Sequence, residues 1–193
     1  KRLIENAAWE EALDIARDQM RAGADMIDIC MDAPLLDAVS AMTTFLRKIT
    51  QEPEISKFPL VIDSSNFEVV EAALKEVPGR CLVNSISLKG GETEFLEHAR
   101  TIQKYGAAVV VMAFDEQGQA STTPDRVRIL SRAIELLTTK LNFALCDIVV
   151  DPNILAIGTG LPEHDIQAVS FIESCKKKKK RYPGVQTSGG LSN

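Results

Sequence analysis

The sequence predicts an α/β fold of the (β/α)8 TIM-barrel type, incomplete in this chain at about six of the eight strand–helix units. Three observations predict it. Apolar runs too continuous to leave a wet face alternate with amphipathic segments of helical period. Most of those runs close on an acid or an amide. No G-x-G-x-x-G follows any strand, which argues against a dinucleotide fold.

Trp9, Ala12, Leu13, Ala16 and Met20 recur at helical spacing and stop at Gly23, a residue suited to a C-terminal cap. Met26 to Met31 is an apolar run broken only by Asp28. Leu35, Leu36, Val39, Met42, Leu46 and Ile49 mark the next helical face. Pro59 to Ile62 is a strand ending in Asp63, and Ser65 with Glu68 reads as a capping box. The helix it opens buries Val69, Val70, Ala73, Leu74 and Val77. Cys81 to Val83 ends in Asn84, and a helix through Phe95, Leu96, Ala99 and Ile102 runs to Gly106.

Ala107 to Ala113 is the strongest strand, a largely β-branched run leading to Asp115 and Glu116. Thr123-Pro124 starts a long helix through Val127, Leu130, Ile134, Leu137 and Leu141, with proline at a permitted first-turn position. Ile148 to Val150 ends in Asp151, followed by Asn153. A last helix, about 163–179, leads to Val185 and the pair Gly189-Gly190. On this count the first and last strands of a closed barrel are missing, so residues 1–193 are expected to be one barrel domain within a larger multidomain chain.

Composition narrows the function classes. A hydrophobic share of 45% with 25% charged residues is that of an ordinary globular domain, which excludes global disorder. The net charge of −5 argues against nucleic acid as a partner. No apolar run approaches the roughly 20 residues of a membrane span. The four cysteines, Cys30, Cys81, Cys146 and Cys175, form no C-x-x-C pair and are expected to be reduced, mostly buried thiols of a cytoplasmic protein. His98 and His164 have no ligand spacing around them, so no metal is expected here. Lys176 to Arg181 is a run of positive charge at a helix end, where it complements the dipole as solvated surface.

In a parallel barrel the C-terminal strand ends converge on the active-site mouth. Asp28 and Asp32, Asp63, Asn84, Asp115 and Glu116, Asp151 and Asn153, and Ser192 and Asn193 all fall within or just after the apolar runs. Any one of them is as readily a helix cap or a turn residue; their recurrence on successive strands is what points to a site. Acids and amides without lysine do not suit a phosphorylated substrate. They suit a neutral heterocycle with N–H donors and a carbonyl, and a pterin is such a ring. Its amino group and adjacent N–H can meet one carboxylate through two parallel bonds, and an amide can serve the mixed edge.

Several stretches resemble the pterin-binding barrel of cobalamin-dependent methionine synthases. They are Lys1-Arg2-Leu3-Ile4, Ile27-Asp28, Met31-Asp32, Ile62-Asp63-Ser64-Ser65 and Val83-Asn84-Ser85-Ile86-Ser87. The likeness continues through Tyr105–Ala120, Asp151-Pro152-Asn153, Thr159-Gly160, Glu163-His164 and Ser188–Asn193. The resemblance implies an enzyme, a methyltransferase that holds 5-methyltetrahydrofolate for transfer to cob(I)alamin. It implies Asp63, Asn84 and Asp151 as pterin contacts, Asn193 as the catalytic amide near the folate N5, and Asp32, Asp115 and Asn153 as rim contacts. Cobalamin and zinc would be carried by other domains, and the corrinoid-binding domain of the same polypeptide would be a partner. Cys30, where that family usually has asparagine, and Ala33-Pro34 depart from its pattern at the rim. Two alternatives stand beside this reading. One is a pterin enzyme resembling dihydropteroate synthase, whose family carries a basic residue shortly after a late-strand serine, where Ser188–Asn193 has none. The other is a folate-binding fragment without turnover of its own.

Overall fold

Each strand predicted from its apolar run is present in the computed structural model, which describes residues 2–157, 159–160 and 162–190. Among the described residues the fold is α/β with a parallel sheet of six strands, two short of the eight that close a barrel. The chain divides into two units, Lys1–Asn84 with Lys104–Ala107, and Ser85–Gln103 with Ala108–Asn193.

The first unit runs through helices α1 (Arg2–Glu5) and α2 (Trp9–Arg21), strand β1 (Ile27–Cys30), α3 (Ala38–Thr50), β2 (Leu60–Asp63), α4 (Phe67–Leu74) and the start of β3 (Leu82–Ile86). β1 pairs in parallel with β2, and β2 with β3, with Cys30 opposite Asp63 and Asp63 opposite Asn84. Helices α3 and α4 pack against each other. Met42, Leu46, Ile49 and Val69 are wholly buried, each contributing roughly 1.5–3 kcal/mol as a large side chain leaves water, and Ala73 is buried with them. Strand β1 differs from expectation: only Ile27 and Ile29 are buried, while Asp28 and Cys30 face outward from the core.

Two helix starts also differ. Periodicity begins at Leu35, yet α3 begins at Ala38, because Asp37 caps it by accepting the Ser40 N–H. Leu35 stands before the cap at φ +66 with its side chain exposed. Ser65 does not cap α4; Asn66 does, accepting the Glu68 N–H at 2.9 Å. Ser65 is engaged elsewhere by Asp32.

The second unit continues with α5 (Gly91–Lys104), β4 (Ala108–Met112), a hairpin of β5 (Phe114–Asp115) and β6 (Gly118–Gln119), then α6 (Thr123–Leu141). There follow β7 (Ile148–Asp151), α7 (Pro162–Asp165), α8 (Gln167–Arg181) and β8 (Gln186–Thr187). β4 pairs in parallel with β7, and β7 with β8. Thr122 caps α6 with Pro124 in the first turn, and Asn142 closes it in the left-handed region at φ +53. Val109, Val111, Ile148 and Val150 of the two central strands are fully buried, which is why this part of the sequence reads as continuously apolar.

Of the four cysteines Cys81 alone is buried, with Cys175 intermediate and Cys30 and Cys146 exposed, so the expectation of mostly buried thiols is corrected. The basic run is solvated except for Lys178, which is 7% exposed and donates to the Val185 carbonyl. No described helix is long and apolar enough to cross a membrane. Among the described residues no cluster of His, Cys, Asp or Glu could hold a metal ion.

Candidate functional site

At the C-terminal end of the first unit's ladder, Asp63 closes β2 and Asn84 lies opposite it on β3. Residues paired across a parallel ladder point to the same side, and alternate residues repeat that side. Asp28, Cys30, Asp63 and Asn84 therefore share one face. Neighbouring strands lie about 4.8 Å apart, close enough for a carboxylate and an amide to reach one flat ring. Both side chains are half-buried. Among the described residues no group hydrogen-bonds to the Asp63 carboxylate or to the Asn84 amide. Half-buried polar groups bond to water or to a ligand where the protein supplies no partner, and that leaves both of these to one or the other.

Charge reinforces that reading. Burial first, then the neighbouring carboxylates of Asp28 and Asp32, push Asp63 up to about 6. Asp32, read from sequence as a rim residue, braces the turn after Asp63. Its Oδ1 accepts the Ser64 hydroxyl, and its Oδ2 accepts both the N–H and the hydroxyl of Ser65, each at 2.7 Å.

In the second unit Asp151 closes β7 opposite Met112 of β4. Its Oδ1 accepts the Asn153 N–H at 2.7 Å. Burial raises its pKa, opposed by that backbone bond and by the positive charge of Arg126. Asn153 is 3% exposed and sits at φ +66, its side-chain N–H donating to the Ala113 carbonyl. Asp115 is also 3% exposed; it takes up the Gln117 N–H of the β5–β6 hairpin and pairs with Arg128 at 2.9 Å. His164 bonds Thr159 at 2.7 Å. Asn193, expected to be the catalytic amide, lies outside the described residues.

Sequence reading places Asp28 among the strand-end acids, but its effect on Asp63 depends on strand register, and one further residue of this constellation is not visible as a strand-end group. Arg126 was not singled out, although it is wholly buried and donates to Ser170, to the Asn153 carbonyl and to Gln167. A signal existed. Arg126 precedes Leu130, Ile134 and Leu137 at helical spacing, which puts a guanidinium on the apolar face of α6.

The family described as pterin binding enzyme matches residues 2–193 of the chain. Among solved structures, the chain resembles a dihydropteroate synthase from Clostridium difficile determined in the presence of pteroic acid. That likeness has a TM-score of 0.66 and 21% identity, covering 95% of this chain and 68% of the synthase. The synthase from Vibrio fischeri gives 0.64 and 17%, covering 95% and 67%. The synthase from Yersinia pestis with a pterine–sulfa conjugate gives 0.63 and 16%, with the same coverage. The chain thus spans about two thirds of the length of these synthases, and at such identities the likeness is one of fold. These comparisons correct the expected function. Transfer of a methyl group from methylated folate to cob(I)alamin is not what they support, because each of these similar structures is a dihydropteroate synthase.

Proposed function

Since the chain belongs to the pterin-binding enzyme family, we propose that it holds a pterin for a group-transfer reaction of the dihydropteroate-synthase kind. The observation that carries this reading is the pair Asp63–Asn84, one carboxylate and one amide on adjacent strand ends. A carboxylate accepts the pterin amino group and its neighbouring N–H through two parallel bonds. An amide, with both donor and acceptor, serves the edge that mixes the two. The same reading takes Asp151, at the end of β7 in the second unit, as a pterin acceptor in its own right.

Two ligands of the related synthases, pteroic acid and a pterine–sulfa conjugate, each join a pterin to an arylamine. The corresponding reaction here is attack of an arylamine such as aminobenzoate on the methylene carbon attached to the pterin, with departure of the group that activates it. The chain's own contribution is to bind and orient the ring. Ser188–Asn193 has no basic residue to meet the second substrate, so the proposal concerns the pterin half of the reaction first.

The test has two stages. Titration of the chain with 6-hydroxymethylpterin, followed by pterin fluorescence, should show saturable binding that Asp63→Ala and Asn84→Ala each weaken. Incubation with an activated dihydropterin and aminobenzoate should then yield a pterin–aminobenzoate product. Binding without product would reduce the reading to a pterin-holding module, and no binding at all would remove it.

A further inference from the structure

Arg126 makes no ion pair in direct contact among the described residues, although it is wholly buried. Its guanidinium donates to the Ser170 hydroxyl, the Gln167 amide oxygen and the Asn153 carbonyl. Among the described residues its Nε has no partner, and neither does the buried Oδ1 of Asn153. Burying a cation against neutral acceptors alone is costly, and such an arrangement needs a reason beyond packing. The carboxylate whose charge it feels is Asp151, one step further along the same chain of contacts. Arg126 holds the Asn153 carbonyl, and the Asn153 N–H in turn donates to Asp151 Oδ1.

A direct Arg–Asp bridge would fill the carboxylate oxygens that a pterin must use. Set one residue behind, the guanidinium contributes potential without touching them. Among the described residues nothing hydrogen-bonds to Asp151 Oδ2. We propose that Arg126 is a positioning residue for pterin recognition, fixing the Asp151-Pro152-Asn153 turn and supplying the positive charge that balances the Asp151 carboxylate while leaving its second oxygen to the ligand. This inference rests on the reading of Asp151 as a pterin acceptor. Few other charges bear on Asp151. The Cys175 thiol of α8 interacts with it, and β4 presents uncharged Met112 and β8 uncharged Thr187 at the neighbouring ladder positions.

The experiment compares 6-hydroxymethylpterin affinity of the full chain with Arg126→Gln, Arg126→Lys, Asp151→Asn and the double variant Arg126→Gln/Asp151→Asn, at about pH 5.5 and 7.5. Arg126→Gln should weaken binding about tenfold at the lower pH and less at the higher, because loss of a nearby cation makes the carboxylate protonate earlier. Arg126→Lys should restore most of that loss. In the Asp151→Asn background, which has no carboxylate to balance, Arg126→Gln should cost less than about twofold. A loss that is equal at both pH values and persists in that background would make Arg126 a packing residue and overturn the inference while leaving the pterin reading intact. Failure of the unmodified chain to bind the pterin would overturn both. Should Arg126→Gln not fold, carboxyl 13C NMR of the unmodified chain decides: Asp151 should titrate below Asp63, and the reverse order overturns the inference.

Discussion

Asp32 Oδ2 accepts two hydrogen bonds from Ser65, one from its backbone N–H and one from its hydroxyl, both at 2.7 Å. With the third bond from Ser64 to Oδ1, one carboxylate fixes the turn that directly follows Asp63. The turn leads into α4, and its geometry sets the direction in which Asp63 leaves the strand end.

Removing that brace is expected to affect both stability and binding. Asp32→Ala leaves the Ser64 hydroxyl and the Ser65 N–H without their acceptor, a loss of about 1–3 kcal/mol. Denaturant unfolding measures the first effect, and a weaker pterin titration measures the second. Unchanged values in both would show that water replaces the carboxylate without consequence.

Asp63 should make pterin binding dependent on pH. Its carboxyl is pushed up to about 6 from an ordinary 3.8, so ionising it works against the fold. That cost is fully present above about 6 and is relieved as pH falls through that value toward the unfolded one. Stability contributed by this group therefore rises on acidification across that window. Pterin affinity should move the opposite way, falling about tenfold per pH unit below the midpoint as the acceptor is protonated. Asp28→Asn, which removes one like charge, should lower the midpoint, and affinity titrations across about pH 5–7.5 measure it.

Capping of α4 by Asn66 has its own measurable contribution. Asn66→Ala should destabilise the protein by about 1 kcal/mol, since the Glu68 N–H loses its acceptor at the exposed start of a helix. A shift in the denaturation midpoint at constant slope is the expected signature.

Within the basic run, Lys178 should stand apart from its neighbours. Lys178→Ala empties a buried position and leaves the Val185 carbonyl unpaired, for about 1–3 kcal/mol. Lys179→Ala and Lys180→Ala, on exposed positions, should stay within about 0.5 kcal/mol. Equal effects at all three would return Lys178 to the solvated surface.

The cysteines give a chemical readout of the fold. A thiol reagent added to the native protein should modify exposed Cys30 and Cys146 well before Cys81. Burial both hides Cys81 and pushes its thiol up to about 11, which leaves almost no thiolate at neutral pH. Unfolding in denaturant should abolish the difference.

By itself the sequence determined the alternation of strands and helices and the residues on which strands end. Hydrophobic periodicity is local: the run at 107–113 or the spacing of Leu130, Ile134 and Leu137 is readable without knowing any partner. Asp63, Asn84 and Asp151 were legible for the same reason, as polar residues that interrupt apolar strands. Local pattern does not say which polar group serves which, and here only the tertiary structure decided. It gave Ser65 to Asp32 instead of to the α4 cap, over a separation of 33 residues. It set Asp63 beside Asn84 and in the field of Asp28, left Asp28 and Cys30 on the outward face of β1, and drew Arg126 to the Asn153 carbonyl. Strand register and helix packing fix such pairings, and both are set by contacts between segments distant in sequence.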